Sequence, residues 1–241
     1  PMFLPGGKEQ IAGEYQPGWM LLSYGKKVSV SSSLEGYPAE NIVDEDARTA
    51  WVAQSNRDME WAQVDLQRLS SIHAIQVNFD EYGANQKGAV SGVYQSYLIY
   101  ASVNGEDWSL VVDYGTKKTD TPHDYIEFEE PFKARYIKLQ NKEYMVSENF
   151  SVRDLRIFGK GQGSTPRAVN DFTVERDEAD PCKARLCWEA VPDAQGYIVR
   201  YGIAGDKLYN NFQVMGENTL EIGSLNKGVA YYFTIDAYNE N

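Results

Sequence analysis

YPAENIVDEDARTAWVAQSNRDMEWAQVDL, Tyr37 to Leu66, decides the fold once it is read with SVRDLRIFG, Ser151 to Gly159. The first stretch places three consecutive carboxylates, Asp44, Glu45 and Asp46, beside Thr49 and Trp51, then enters a strand through Trp61, Val64 and Leu66. The second is a short alternating strand with one carboxylate, Asp154, capped by Gly159. Alternation of period two marks a strand with one buried face.

The same pattern runs outward from both stretches. VSVSSS (28–33), SIHAIQVNF (71–79), SYLIYASV (96–103), SLVVDYG (109–115), DYIEFEE (124–130) and ARYIKLQN (134–141) are short, alternating or β-branched, and bounded by Gly, Pro, Asn or Asp. NGEDW (104–108) reads as a hairpin turn whose Asn-Gly supplies the left-handed positions, with Trp108 packing at the hairpin base. GKGQGSTPRA (159–168) is the clearest linker, and residues 1–18, rich in Gly and Pro without a period, read as a linker or the tail of a preceding domain. Past the linker come DFTVERD, ARLCWEAV, GYIVRYGI, NTLEIGSL and AYYFTIDAYNE. No convincing helical stripe appears, so the expected class is all-β, built as sandwiches or barrels.

With 241 residues there is room for one large β domain or two smaller ones. The formal net charge of −12 repels phosphate backbones and anionic headgroups, which disfavours nucleic acid and membrane surfaces as partners but not neutral glycans. No stretch is long enough to cross a bilayer. Tyr is unusually frequent, at 17, a residue suited both to strands and to half-exposed surfaces. Cys182 and Cys187 lack zinc-ligand spacing and read as structural thiols, too far apart on an extended backbone to bridge. The opening PMFLPGGKEQ has no signal-peptide pattern, and both ends read as those of a piece of something longer.

The order of Tyr37–Leu66, SVNGEDW and the closing VRDLRIFG resembles the discoidin-like fold of coagulation factor V/VIII type C domains and family 32 carbohydrate-binding modules. That resemblance implies a jelly-roll β-sandwich over 19–160, without the disulfide that often ties its ends in the vertebrate pattern. After a linker at 161–167, residues 168–241 resemble a fibronectin type III domain lacking its last strand. Leu186 and Trp188 share a strand face, Tyr197 opens the next strand, and Leu225 precedes Tyr231 by the spacing of a tyrosine corner. The domain order, with GWMLLSY at the join, is similar to the C-terminal part of certain bacterial family 43 glycoside hydrolases, which act mainly on arabinose- or xylose-containing polysaccharides. The resemblance implies a non-catalytic region of a secreted enzyme, with an upstream catalytic domain as partner, located outside the cell, on its surface or in the periplasm.

Two constellations follow. In the resembling modules, the acidic turn and a last-strand carboxylate hold a structural calcium, which here implies Asp44, Asp46, Thr49 and Asp154. Calcium wants six to eight oxygens from a tight loop. The alternative is a solvated turn whose Asp side chains cap local amides. Glu45 stands where the family often has Gly, and costs energy if its backbone needs positive φ. Saccharide would be held by loops at one end of the sandwich, with rings under the apolar sugar face and planar side chains on its hydroxyls. The candidates are Tyr37, Asn56, Arg57, Tyr82, His123, Tyr144, Asn149 and Phe150. Each has a structural alternative: Tyr37 pinning a turn, His123 holding one, Phe150 opening the core of the last strand. The loop 80–94 lacks the Arg common in galactose-binding members, so no galactose preference is carried over. Nothing reads as an active site: no nucleophile elbow, zincin pair, phosphate loop or dinucleotide fingerprint is present. A spacer that docks on a catalytic domain without binding sugar is the competing reading.

Overall fold

The computed structural model describes residues 3–5, 17–84 and 92–241, and in it nearly every alternating segment is a strand. The chain divides into two units, Pro1–Gln162 and Gly163–Asn241. The first holds β1 (Phe3–Pro5), β2 (Pro17–Leu21), β3 (Lys27–Val30), β4 (Trp51–Val52), β5 (Trp61–Phe79), β6 (Gln95–Ser102), β7 (Ser109–Tyr114), β8 (His123–Tyr144) and β9 (Ser151–Gly161), with one 3₁₀ turn at Ala39–Val43. Among the described residues no helix is long and apolar enough to cross a membrane. Within the stretch read as a linker or tail, Phe3–Pro5 pairs with β2. Residues 6–16 lie outside the described ones.

WAQVDL and SIHAIQVNF, read as separate strands, run together as β5, and DYIEFEE and ARYIKLQN run together as β8. The first part of β5 pairs with β3 and with the second part of β8, which continues through β6 to β7. The later part pairs with β9 and with the first part of β8. Two strands thus pass from one layer of the sandwich to the other, turning at register shifts between Asp65 and Ser70 and between Ile72 and Ala74.

Chemistry holds the first of these corners. Gln67 is left-handed, with φ 66. Asp65 Oδ1 accepts its N–H at 2.7 Å, while both carboxylate oxygens take Arg135 at 2.8 and 2.9 Å. The Arg135 bond, opposed by burial, leaves the Asp65 carboxyl below its ordinary range. Between the layers Val64, Ile75, Val77, Ile99, Ile137, Leu139, Leu155 and Ile157 are all fully buried. Each contributes about 1.5–3 kcal/mol relative to exposure.

The hairpin joining β6 and β7 departs from expectation in one respect. Gly105 alone takes positive φ, at 82. Asn104 instead uses its side chain, Oδ1 accepting the N–H groups of Glu106 and Asp107 at 3.0 and 2.9 Å. Trp108 packs under Lys138, whose Nζ lies 3.8 Å from the ring centroid.

The second unit has β10 (Phe172–Arg176), β11 (Ala184–Trp188), β12 (Gly196–Gly202), β13 (Asn210–Met215), β14 (Thr219–Ile222) and β15 (Tyr232–Tyr238), in sheets ordered β10-β11-β14 and β13-β12-β15. β13 was not expected, because Asn210 and Asn211 break the apolar pattern at its start. Leu186 and Trp188 are buried, and Trp188 meets Tyr197 edge-on at 5.1 Å. The Tyr231 hydroxyl accepts the Asn226 N–H at 3.1 Å, a bond from Tyr back to upstream backbone. Cys182 and Cys187 are free thiols.

Gly159, which ends the deciding motif, has no room for a side chain: a Cβ there would collide with the Ser71 carbonyl across the β5–β9 ladder. Gly159→Ala is therefore expected to cost the first unit about 3 kcal/mol, read as a lower urea midpoint. An unchanged midpoint would show that the ladder yields at this point.

Candidate functional site

The loops at one end of the first sandwich rest on an aromatic column. Phe150 touches Trp51 at 5.8 Å, Tyr144 at 5.3 Å and Phe79 at 6.1 Å, and Phe79 continues to Tyr97 at 5.3 Å and Tyr97 to Tyr114 at 5.5 Å. Two sequence candidates are thereby corrected. Tyr144 is 2% exposed and Phe150 is 0% exposed, so neither can lie under a sugar from solvent. The Tyr144 hydroxyl bonds the Asp80 carbonyl, and burial raises its pKa. The Tyr97 hydroxyl donates to Asp124 at 2.7 Å, and Lys117 pairs with the same carboxylate oxygen.

The two amides are also structural. Asn56 Nδ2 donates to the carbonyls of Ser147 at 2.8 Å and Tyr144 at 3.3 Å, and Asn149 Nδ2 donates to the Ala53 carbonyl at 2.8 Å. Both amides are spent on fixing loop backbone. Glu60 does the same from below: its carboxylate takes hydroxyls from Ser31, from Ser32 at 2.8 Å and from Ser55 at 2.7 Å. Burial pushes the Glu60 pKa up, and the bonds from Ser31, Ser55 and Ser32 together outweigh it, leaving the group below its ordinary range.

What remains open to solvent is smaller. Tyr37 and Tyr82, from loops far apart in sequence, meet edge to face with centroids 4.9 Å apart, each half-buried. Arg57 is exposed, and among the described residues nothing bonds its guanidinium. Sequence reasoning missed a second group. The Tyr94 hydroxyl donates to Glu143 at 2.7 Å, and Lys118 lies 4.3 Å over the Tyr94 ring and pairs with the same carboxylate. The one sequence signal for it was a Tyr closing the 80–94 loop. Tyr82 and Tyr94 flank residues 85–91, which lie outside the described ones.

The acidic turn forms a separate polar site. Asp44 Oδ1 accepts the Asp46 N–H at 2.8 Å, and Thr49 Oγ1 lies 2.8 Å from Asp44 Oδ2 and 2.9 Å from the Asp46 carbonyl. Asp46 offers that carbonyl and not its carboxylate, which turns out to Arg48 at 2.7 Å and is held at a pKa of about 2, chiefly by that side-chain bond. Glu45 takes φ 60, and Arg156 fastens it at both oxygens, at 2.8 and 2.7 Å. Cross-strand register then aligns His123, Asn78 and Asp154, and beside them Tyr125, Gln76 and Arg156. His123 Nδ1 lies 3.1 Å from Asn78 Oδ1, and Asn78 Nδ2 donates to Asp154 Oδ2 at 2.8 Å. His123 is thus tied to the acidic turn's network, a link that sequence missed with Asn78, Gln76 and Arg156. Asp154 is 8% exposed, and its pKa is raised, first by burial and further by Glu45 and Asp44, against the Asn78 bond and Arg156. Among the described residues no group of three or more His, Cys, Asp or Glu side chains is arranged to hold a metal ion. Oxygen, the donor type a hard cation takes, is offered here by the Asp44 and Asp154 carboxylates, the Asp46 carbonyl and the Thr49 hydroxyl.

Two antiparallel layers, an acidic turn against the last strand and an end of paired loops define a discoidin-type binding module. The F5/8 type C domain profile matches residues 27–154, more than half of the 241 residues, and the chain belongs to that family, whose domain is a binding module and not a catalyst. Lactadherin of Rattus norvegicus is 33% identical over 110 residues, and that of Mus musculus 32% over the same length. These matches cover 43% of this chain, and 25% and 23% of the lactadherins, so the chain spans about a quarter of those proteins. Among solved structures, chitosan-binding module 1 of a Paenibacillus sp. IK-5 chitosanase/glucanase is 20% identical, with 58% of this chain and 98% of that chain covered and a TM-score of 0.49. The family 32 module of C. perfringens NanJ, in complex with galactose, is 19% identical, with 55% and 92% covered and a TM-score of 0.44.

Glu60→Gln is expected to destabilise the first unit by about 1.5–3 kcal/mol at neutral pH, the loss of hydrogen bonds to a charged group. Because the folded pKa of Glu60 lies below its ordinary value, its contribution is present above about pH 4.5 and lost as pH falls through the folded pKa. The gap between the melting curves of the two proteins should therefore close on acidification. A gap independent of pH would show that the carboxylate charge is not what holds the serines.

Proposed function

We propose that the chain is a non-catalytic carbohydrate-binding accessory region, with saccharide held at the loop end of its F5/8 type C unit. The observation that carries this reading is the Tyr37–Tyr82 pair, which two separate loops bring together half-exposed. A ring at that place stacks on the apolar C–H face of a sugar, while Arg57 and the Tyr94–Lys118–Glu143 cluster supply hydrogen bonds. The acidic chain repels anionic polymers, which favours a neutral glycan. We extend the reading to a secreted polysaccharide-degrading glycoside hydrolase of the family 43 kind, acting on arabinose- or xylose-containing polymers. The second unit would be a fibronectin type III spacer. Its two three-stranded sheets and the Tyr231 hydroxyl bond support that part. Binding would then raise the enzyme's local concentration on its substrate without adding chemistry.

The spacer reading without sugar binding draws on a specific observation, the commitment of Asn56, Asn149, Tyr144 and Phe150 to the scaffold. Affinity-gel retardation on arabinan, arabinoxylan, xylan and galactan separates the two. Retardation by at least one polymer is expected, with about tenfold weaker binding in the Tyr37→Ala/Tyr82→Ala protein. A folded chain retarded by none would establish the spacer.

A structural calcium at Asp44, Thr49, Asp154 and the Asp46 carbonyl belongs to the same proposal. It would offset the burial, and after it the nearby Glu45 and Asp44 carboxylates, that raise the Asp154 pKa. EDTA is then expected to lower the melting temperature of the first unit by about 5 °C, corresponding to about 2.7 kcal/mol at a hundredfold excess over Kd. No change with EDTA would mean that Thr49 and Arg156 close the turn without an ion.

A further inference from the structure

The second unit carries a groove of about 510 Å³ between the β12–β13 connection and the segment leading into β15. Tyr209, 78% exposed, stands on its wall with Tyr231, and Ile203, 61% exposed, continues the apolar rim. Asn210, Ser224, Asn226 and Lys207 complete the lining. Exposed rings beside amides and hydroxyls are the lining that saccharides need.

The hydrogen bonds of this groove differ from those of the loop end in the first unit. Asn226 is fixed through its backbone, its N–H donating to the Tyr231 hydroxyl at 3.1 Å and its carbonyl accepting from Arg176 Nη1 at 3.1 Å. Its side-chain amide bonds nothing among the described residues, and neither do the Tyr209 hydroxyl and the Lys207 ammonium. Asn210 Nδ2 and Ser224 Oγ make only long contacts, each 3.4 Å, to the Tyr201 carbonyl and hydroxyl. A positioned backbone with unspent planar amides is a binding surface prepared for a ligand rich in hydroxyls. A purely apolar protein partner would leave those amides unpaired, at a cost.

We propose that this groove is a second saccharide site, taking a segment of neutral polysaccharide. Tyr209 stacks on one ring, and Asn210, Asn226 and Ser224 bond its hydroxyls. The site goes beyond the loop-end reading and does not depend on it.

The test is a titration of the full ¹⁵N-labelled chain with xylohexaose, arabinohexaose and cellohexaose, each to about 5 mM, which covers weak millimolar sites. The side-chain amide signals of Asn210 and Asn226 are expected to shift saturably with at least one of them. Tyr209→Ala, an exposed position that leaves the core untouched, is expected to weaken that binding about tenfold or more. The Tyr37→Ala/Tyr82→Ala chain is expected to keep the shifts unchanged. Amides silent toward all three sugars would overturn the proposal, as would shifts that survive Tyr209→Ala. Shifts lost in the Tyr37/Tyr82 variant would place the sugar at the loop end and overturn an independent site.

Discussion

The first unit depends on one constraint: β5 and β8 each belong to both layers of the sandwich. A strand shared by two sheets must turn a corner without losing its ladder, and here the turn falls at Gln67, whose left-handed backbone is secured by Asp65 and, through it, by Arg135. A fixed corner fixes the register on both sides of it. Because side chains alternate strictly along a strand, that register decides which residues meet across β8, β5 and β9. The row His123, Asn78, Asp154 is a consequence of the corner as much as of the three residues themselves.

The acidic turn shows the same dependence at smaller scale. Glu45 occupies a left-handed position that favours glycine, and its carboxylate reaches back to Arg156, an outward residue of the last strand held in register two places from Asp154. A bidentate, half-buried arginine pair offsets the backbone cost and docks the turn on the sheet. The substitution that looked like a defect in the sequence is therefore a fastening.

Alternation made the strands legible, and the residue order of the motif made the family legible. The fusion of strands was not, because the excursions at 66–69 and 128–131 carry Gln, Arg, Glu and Pro, as any turn would. Tyr144 shows how the sites went astray. Counting by twos from Leu139 and Asn141 sends Tyr144 outward, toward solvent. The register shift opposite Ser96 and Tyr97 adds one residue, and Tyr144 turns into the core. No one-dimensional pattern records such a shift. Asn56 and Asn149 failed for a related reason: an amide in a loop looks the same whether it faces a ligand or a neighbouring carbonyl.

That ambiguity separates the two units. In the first, loop amides and serine hydroxyls are consumed in tying segments 31–33, 53–60 and 141–150 to one another, which stiffens the end of the sandwich and leaves tyrosine rings and a few charged groups at its surface. In the second, the Asn226 amide, the Tyr209 hydroxyl and the Lys207 ammonium remain uncommitted beside exposed rings. Rigid loops bind by shape and lose little entropy on binding, whereas uncommitted donors confer affinity only where a ligand supplies the missing partners. The hydrogen-bond inventory of each loop, more than its count of aromatics, therefore marks where a hydroxyl-rich ligand would gain by displacing water.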